Sequence, residues 1–167
     1  MKVGRVTLSD RASVGIYPDL SGPEIERVVS AWLDGPVEWR RELLPDSREE
    51  IERALCRLAD EERCHLILTT GGTGPAPRDV TPEATRAVLE KELPGFGEAM
   101  RARSFATVPT AILSRATAGV RRGTVIVNLP GRPAAIADCL PPLVPAILEA
   151  IDHVAGVRFR AREGVRA

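Results

Sequence analysis

The stretch TTGGTGPAPRDVTPEAT, Thr69 to Thr85, packs three glycines and three prolines around one aspartate, Asp79, directly after the apolar run HLIL. His65 to Thr70 reads as a short buried strand. Thr81-Pro82-Glu83 reads as an N-cap, a proline at the first helical position and an acid in the first turn. The stretch therefore joins a strand end to a helix start. Glycines let the backbone take positive φ and approach a ligand closely, and free amides ahead of a helix N-terminus favour phosphate. Gly71-Gly72-Thr73-Gly74 is either an anion cradle or a tight turn that needs glycine for its own geometry. It lacks the G-K-[ST] of a P-loop and is not G-x-G-x-x-G.

Working outward, Val3 to Leu8 alternates as a strand. Ser21 to Glu24 has the S-x-x-E form of a capping box, followed by Ile25, Val28, Val29, Trp32 and Leu33, one apolar stripe on a helix. The pattern repeats: Val37 to Leu44 is a strand, Ser47 to Glu50 a second capping box, and Ile51, Ala54, Leu55, Leu58 and Ala59 the same stripe. Leu93-Pro94-Gly95 breaks the helix that starts at Thr81, Gly97 to Phe105 forms another, and TVIVNL, Thr124 to Leu129, is a fully apolar strand. Pro133 to Ala155 is helical, and Pro141, Pro142 and Pro145 split it in two. Alternating strands and helices imply the α/β class: a single-domain, three-layer α/β/α fold with a mostly parallel, Rossmann-like sheet and right-handed crossovers. The 167 residues suit one domain, residues 1–160, with a frayed tail at 161–167.

The charges balance, 23 basic against 23 acidic, so no field of one sign argues for nucleic acid or an anionic membrane. The N-terminus lacks a signal-peptide apolar region, and no stretch holds the ~18–20 continuous apolar residues of a membrane span. The expectation is a cytoplasmic protein. Cys56, Cys64 and Cys139 form no C-x-x-C pair and read as small apolar residues. His65 reads as a satisfied core histidine and His153 as inert, so neither a histidine-bound metal nor a Ser-His-Asp arrangement is expected.

In open parallel sheets, ligands bind beyond the carboxyl ends of the strands, where the strand order reverses. Four polar clusters fall there: Ser9-Asp10-Arg11, Pro45-Asp46, Gly71 to Asp79, and Asn128-Leu129-Pro130-Gly131. Carboxylates beside a phosphate cradle repel the ligand unless a cation bridges them, and Mg²⁺ takes one or two carboxylates plus substrate phosphates. Asp46 and Asp79 thus suggest Mg²⁺-nucleotide chemistry, although Asp46 could cap the helix near Ser47 and Asp79 could pair with Arg78 or Arg11. Asp10 either meets ligand or orients Arg11. Ser9 and Thr73 either donate to phosphate or satisfy turn amides.

Ser9-Asp10-Arg11-Ala12-Ser13, Leu44-Pro45-Asp46, Thr69 to Gly74, Arg78 to Thr85, Pro109 to Arg115 and Asn128 to Gly131, in that order, resemble the molybdopterin adenylyltransferases. These are the MogA-like enzymes of molybdenum cofactor synthesis, related to the G domain of gephyrin. The resemblance implies attack by the terminal phosphate of molybdopterin on the α-phosphorus of Mg·ATP, giving adenylylated molybdopterin and pyrophosphate. It places the family's two important aspartates, catalytic and Mg²⁺-binding, on Asp46 and Asp79, and its pterin-holding serine on Ser114. Arg11, Arg78 and Arg115 are nearby arginines that could neutralise phosphate, and Asn128, Pro130 and Gly131 belong to the expected substrate rim. The resemblance further implies a homotrimer and a molybdenum-inserting partner enzyme. One departure stands out: Arg132 follows Asn-Leu-Pro-Gly where family members often carry a smaller polar residue. The alternatives are a nucleotide pyrophosphatase on the same scaffold, whose glycine loop is closer to GGLGP, and a non-catalytic pterin-binding scaffold.

Overall fold

The computed structural model describes residues 1–162. Four parallel strands form the larger part of the sheet, with β2 at its edge: β1 (Lys2–Leu8), β2 (Glu38–Leu44), β3 (Leu66–Thr70) and β6 (Thr124–Leu129). Two short strands, β4 (Lys91–Glu92) and β5 (Ala118–Arg121), extend it antiparallel beyond β6, so the order is β2-β1-β3-β6-β5-β4. The sheet is therefore mixed, with the expected parallel core and an antiparallel edge.

The edge went unread in the sequence for a physical reason. β4 has two residues, and β5 turns into β6 through Arg122 at φ 44° and Gly123 at φ 85°, the tight twist of a primed hairpin turn. In sequence, Arg121-Arg122-Gly123 resembles a polar break more than a strand end.

Helices cover both faces. On one, α2 (Ser21–Trp32), α5 (Gly95–Phe105) and α6 (Pro133–Ala155) bury Ile25, Val29, Met100, Ile136, Leu140 and Ile151 against the sheet. On the other, α3 (Arg48–Cys56), the π-helical turn Arg57–Glu61 that continues it, and α4 (Thr81–Val88) bury Ile51, Leu55, Leu58, Ala84 and Val88. A one-turn helix, α1 (Asp10–Ser13), follows β1, and a 3₁₀ turn spans Pro109–Leu113. The three-layer α/β/α architecture is the one expected.

Three local expectations are corrected. Pro133–Ala155 is one helix, not two. Pro142 removes the donor that would bond the Asp138 carbonyl, and Arg103 Nε takes that carbonyl instead at 2.9 Å. Although α6 is long and apolar enough by composition to span a membrane, it packs against the sheet as a core helix. The first capping box does not form: Ser21 lies inside α2 and donates to the Gly131 carbonyl (2.6 Å), while Asp19 caps the Gly22 amide (2.9 Å). The second is half-formed, with Ser47 accepting from the Glu50 amide at 3.4 Å.

Of the tail expected at 161–167, residues 163–167 lie outside the described residues. Ala161 bridges Leu33, and Arg162 donates from its amide to Trp32 and from Nε to Leu33, so these two are tied down rather than frayed. His65 accepts the Lys2 amide on Nδ1 and stacks edge-on against Phe159 at 5.0 Å, as a packed structural histidine. Cys64 and Cys139 are buried and Cys56 is half-buried; burial pushes the Cys64 thiol up to about 11, far from a nucleophile's range.

Candidate active site

The chain leaves β1 toward β2 on one side and reaches β3 on the other, so the strand order reverses between β1 and β3. The glycine loop leaves β3 at that point. Gly71 has φ +98°, and a Cβ there would stand 2.2 Å from the Leu8 carbonyl oxygen at the end of β1; Gly72 has φ +61° and faces the Thr81 hydroxyl. Both positions require glycine. Thr81, the expected N-cap, is instead the first residue of α4, and its hydroxyl and amide bond the Gly71 and Gly72 carbonyls at 2.9 and 3.1 Å. It fastens the start of the loop to the helix that ends it.

Two cavities open on this rim. The first, about 380 Å³, is lined by Ser9, Asp10, Arg11, Asp46, Gly71, Gly72, Arg78 and Asp79 among others. The second, about 510 Å³ and largely apolar, is lined by Thr73, Gly74, Met100, Val108, Leu113, Ser114 and Pro130 among others. The glycine loop runs between them, and Gly131 and Arg132 line both.

Asp46 and Asp79 lean over opposite ends of the glycine loop. Asp46 Oδ1 lies 3.1 Å from where a Cβ would stand at Gly72, and Asp79 Oδ2 lies 2.8 Å from the same point at Gly74. Asp46 does not cap α3, because Ser47 does. Asp79 forms no ion pair with Arg78 or Arg11 among the described residues; its Oδ2 accepts the Ala76 amide at 3.0 Å, which closes the proline-rich turn ahead of it. Asp10 does not orient Arg11. It exchanges backbone bonds with Asp46: the Asp46 amide donates to Asp10 Oδ1 (2.9 Å) and the Asp10 amide to Asp46 Oδ2 (3.2 Å). Burial pushes the Asp46 carboxyl up from its ordinary value, with the nearby charges of Asp10 and Asp79 adding to the shift against the opposing pull of the Asp10 amide and Arg78. No ready-made cage of three or more His, Cys, Asp or Glu ligands exists among the described residues. The two carboxylates facing the glycine loop, Asp46 and Asp79, are hard oxygen donors of the kind Mg²⁺ takes together with substrate phosphates.

Other expected site residues divide. Ser9 caps α1, accepting from the Ala12 amide at 3.2 Å, and its hydroxyl meets the Tyr17 hydroxyl at 2.8 Å. Arg11 and Arg78 are exposed on the acidic cavity. Ser114 lines the apolar cavity. Asn128 is not on the rim. It is fully buried in β6, where Nδ2 donates to Thr69 and Thr85 (3.0 and 2.8 Å) and Oδ1 accepts from the Thr117 amide (3.4 Å). Its polar groups are spent tying β3, α4 and β6 together. Arg115 likewise faces the protein: Nε donates to the Gly74 carbonyl (2.9 Å), Nη2 to the Asp79 carbonyl (2.5 Å), and Nη1 pairs with Glu83. Burial works against the Glu83 charge, yet Arg115 holds the carboxyl below its ordinary value. Arg115 is a clamp on the loop that carries Asp79.

Sequence reading missed Tyr17 and Asp19 in the wall of the acidic cavity. Asp19 is pinned by the buried Arg5 (2.6 Å) and by the Thr7 hydroxyl (2.9 Å). The signal was Asp19 three residues ahead of Gly22, an acid placed to cap a helix, which the neighbouring S-x-x-E form obscured.

Residues 4–149 match a family described as a probable molybdopterin binding domain. The chain is 50% identical over 161 residues to the molybdopterin adenylyltransferase of Helicobacter pylori strain J99, covering 96% of this chain and 92% of that protein. It is 51% identical over 140 residues to the molybdopterin adenylyltransferase of Escherichia coli K12, covering 84% and 72%. Among solved structures, the molybdopterin biosynthesis enzyme MoaB of Thermus thermophilus superposes with a TM-score of 0.87 at 42% identity, covering 95% of this chain and 99% of that one. The chain belongs to this molybdopterin-binding family.

Proposed function

We propose that this protein adenylylates molybdopterin with Mg·ATP in the synthesis of the molybdenum cofactor. The observation that carries the reading is the pair of cavities on one rim. One carries four aspartates, Asp10, Asp19, Asp46 and Asp79, the other is largely apolar and carries Ser114, and the glycine loop lies between them. Two substrates held on either side of a phosphate cradle suit a transfer between them. The apolar cavity takes the pterin and the acidic cavity the Mg·ATP phosphates.

In the transfer, an oxygen of the molybdopterin phosphate forms a bond to the α-phosphorus of ATP. The bond from that phosphorus to the bridging oxygen breaks, and pyrophosphate leaves with its electron pair. The nucleophile is already ionised, so catalysis rests on positioning and on neutralising charge rather than on a strong base. Mg²⁺, when bound, neutralises phosphate charge at the reacting centre. Asp46 and Asp79 would hold it, both lining the acidic cavity and both directed at the glycine loop. The free amides of the loop orient the phosphate chain, and Arg115 keeps the Asp79 segment in place from behind.

The protein would then act as a cytoplasmic homotrimer that hands its product to a molybdenum-inserting enzyme. Transfer of label from α-³²P-ATP to molybdopterin, with one pyrophosphate released per label, tests it. Label appearing only in free AMP would instead indicate the nucleotide pyrophosphatase, and pterin binding without transfer would indicate a scaffold.

A further inference from the structure

Two polyanions have to meet where the two cavities join, and the wall common to both is short. Among the described residues, only Gly131 and Arg132 line both. Gly131 offers no side chain, and its carbonyl is taken by the Ser21 hydroxyl. Arg132 is exposed, and its guanidinium enters no ion pair or hydrogen bond among the described residues. Its backbone, by contrast, is fixed: it is the N-cap of α6, its carbonyl accepts from the Ala135 and Ile136 amides at 3.0 and 3.1 Å, and Pro133 follows at the first helical position. The root of the side chain is thus rigid and its charged end is free.

The neighbouring cations differ. Arg11 and Arg78 line the acidic cavity alone. Arg101 lines the apolar cavity alone, and its Nη1 is held by the Ser114 and Ala116 carbonyls at 3.1 and 3.2 Å. Arg115, expected from sequence to meet substrate, is occupied by the glycine loop and Glu83. The transfer point is therefore left, among the described residues, with one free cation in reach of both ligands.

We propose that Arg132 is a catalytic residue that touches both substrates, bridging the attacking phosphate of molybdopterin and the α-phosphate of ATP. The assignment rests on the adenylyl-transfer reading. A planar guanidinium has five donors in a fixed fork and can bond oxygens of two phosphates at once. It offsets the repulsion between the two anions as the new P–O bond forms and the bond to the departing pyrophosphate breaks.

The test is steady-state pyrophosphate release with molybdopterin, ATP and Mg²⁺ on wild type, Arg132→Ala and Arg132→Lys, with Arg78→Ala as the one-cavity comparison. Arg132→Ala is expected to lower kcat roughly 100-fold, the scale of removing one charge-stabilising donor, and to raise KM for both substrates. Arg132→Lys should recover part of the loss, and the melting temperature should stay at the wild-type value because the side chain bonds nothing among the described residues. Arg78→Ala should raise KM for ATP only. An Arg132→Ala enzyme with wild-type kinetics, or one impaired toward a single substrate, overturns the assignment while leaving adenylyl transfer intact. Wild type that releases no pyrophosphate with both substrates present overturns the transfer reading and this assignment with it.

Discussion

Asp10 and Asp46 hold each other's backbone: the Asp46 amide donates to the Asp10 carboxylate at 2.9 Å, and the Asp10 amide to the Asp46 carboxylate at 3.2 Å. The exchange joins the end of β1 to the end of β2 and fixes Asp46 beside the glycine loop. It also brings two acids together, near a third at Asp79.

That arrangement sets a pH dependence. Because burial and neighbouring charge raise the Asp46 pKa in the fold, its charged form costs stability at neutral pH. The cost disappears as pH falls through the raised value toward that of an ordinary aspartate, about 3.9. Asp46→Asn is therefore expected to melt slightly higher than wild type at pH 7, with the difference shrinking on acidification, while activity falls. Added Mg²⁺ should raise the wild-type melting temperature more than that of the variant. A lower melting temperature for Asp46→Asn at pH 7 would refute this account.

Arg115 makes a three-way contact that lysine cannot reproduce, spanning Gly74, Asp79 and Glu83. Arg115→Lys is expected to cost about 1–3 kcal/mol of stability, seen as a fall of several degrees in melting temperature, and to lower kcat through the loosened Asp79 segment. Thermal melts and kinetics on the same preparation check it; unchanged melting would show that the clamp does not matter.

Gly71 tests the close approach of loop and strand. With φ +98° and a Cβ position 2.2 Å from the Leu8 carbonyl oxygen, Gly71→Ala must displace backbone. The expected loss is roughly 2–4 kcal/mol, measured by denaturant unfolding. A variant as stable as wild type would mean that this turn relaxes freely.

Asn128 separates packing from recognition. Asn128→Ala strands the Thr117 amide and two threonine hydroxyls inside the protein, at an expected cost of about 2–4 kcal/mol. The folded fraction should keep wild-type KM for both substrates. A raised KM without loss of stability would return Asn128 to the rim.

The parallel strands were legible because Val3 to Leu8 alternates and Thr124 to Leu129, buried on both faces, is a continuous apolar run. β4 and β5 were not, because two to four residues per strand leave no periodicity to read. Nor did the sequence show α6 as one helix, since the rescue of the Asp138 carbonyl by Arg103 comes from 35 residues away. The placement of Asp46 and Asp79 in the wall of one cavity was legible from position, each lying beyond a strand end. The roles of Arg115 and Asn128 were not: an arginine or asparagine beside a loop looks the same in sequence whether its donors face solvent or the protein. Only the partners at Gly74, Asp79, Thr69 and Thr85 decide.

Adenylyl transfer is tested most directly by pyrophosphate release from Mg·ATP, with and without molybdopterin, on wild type and Asp79→Asn. Asp79 is directed at Gly74 across the glycine loop, so release is expected to require molybdopterin and to fall roughly 100-fold or more in the variant, with the melting temperature little changed. Release without molybdopterin, or full activity in Asp79→Asn, would contradict it.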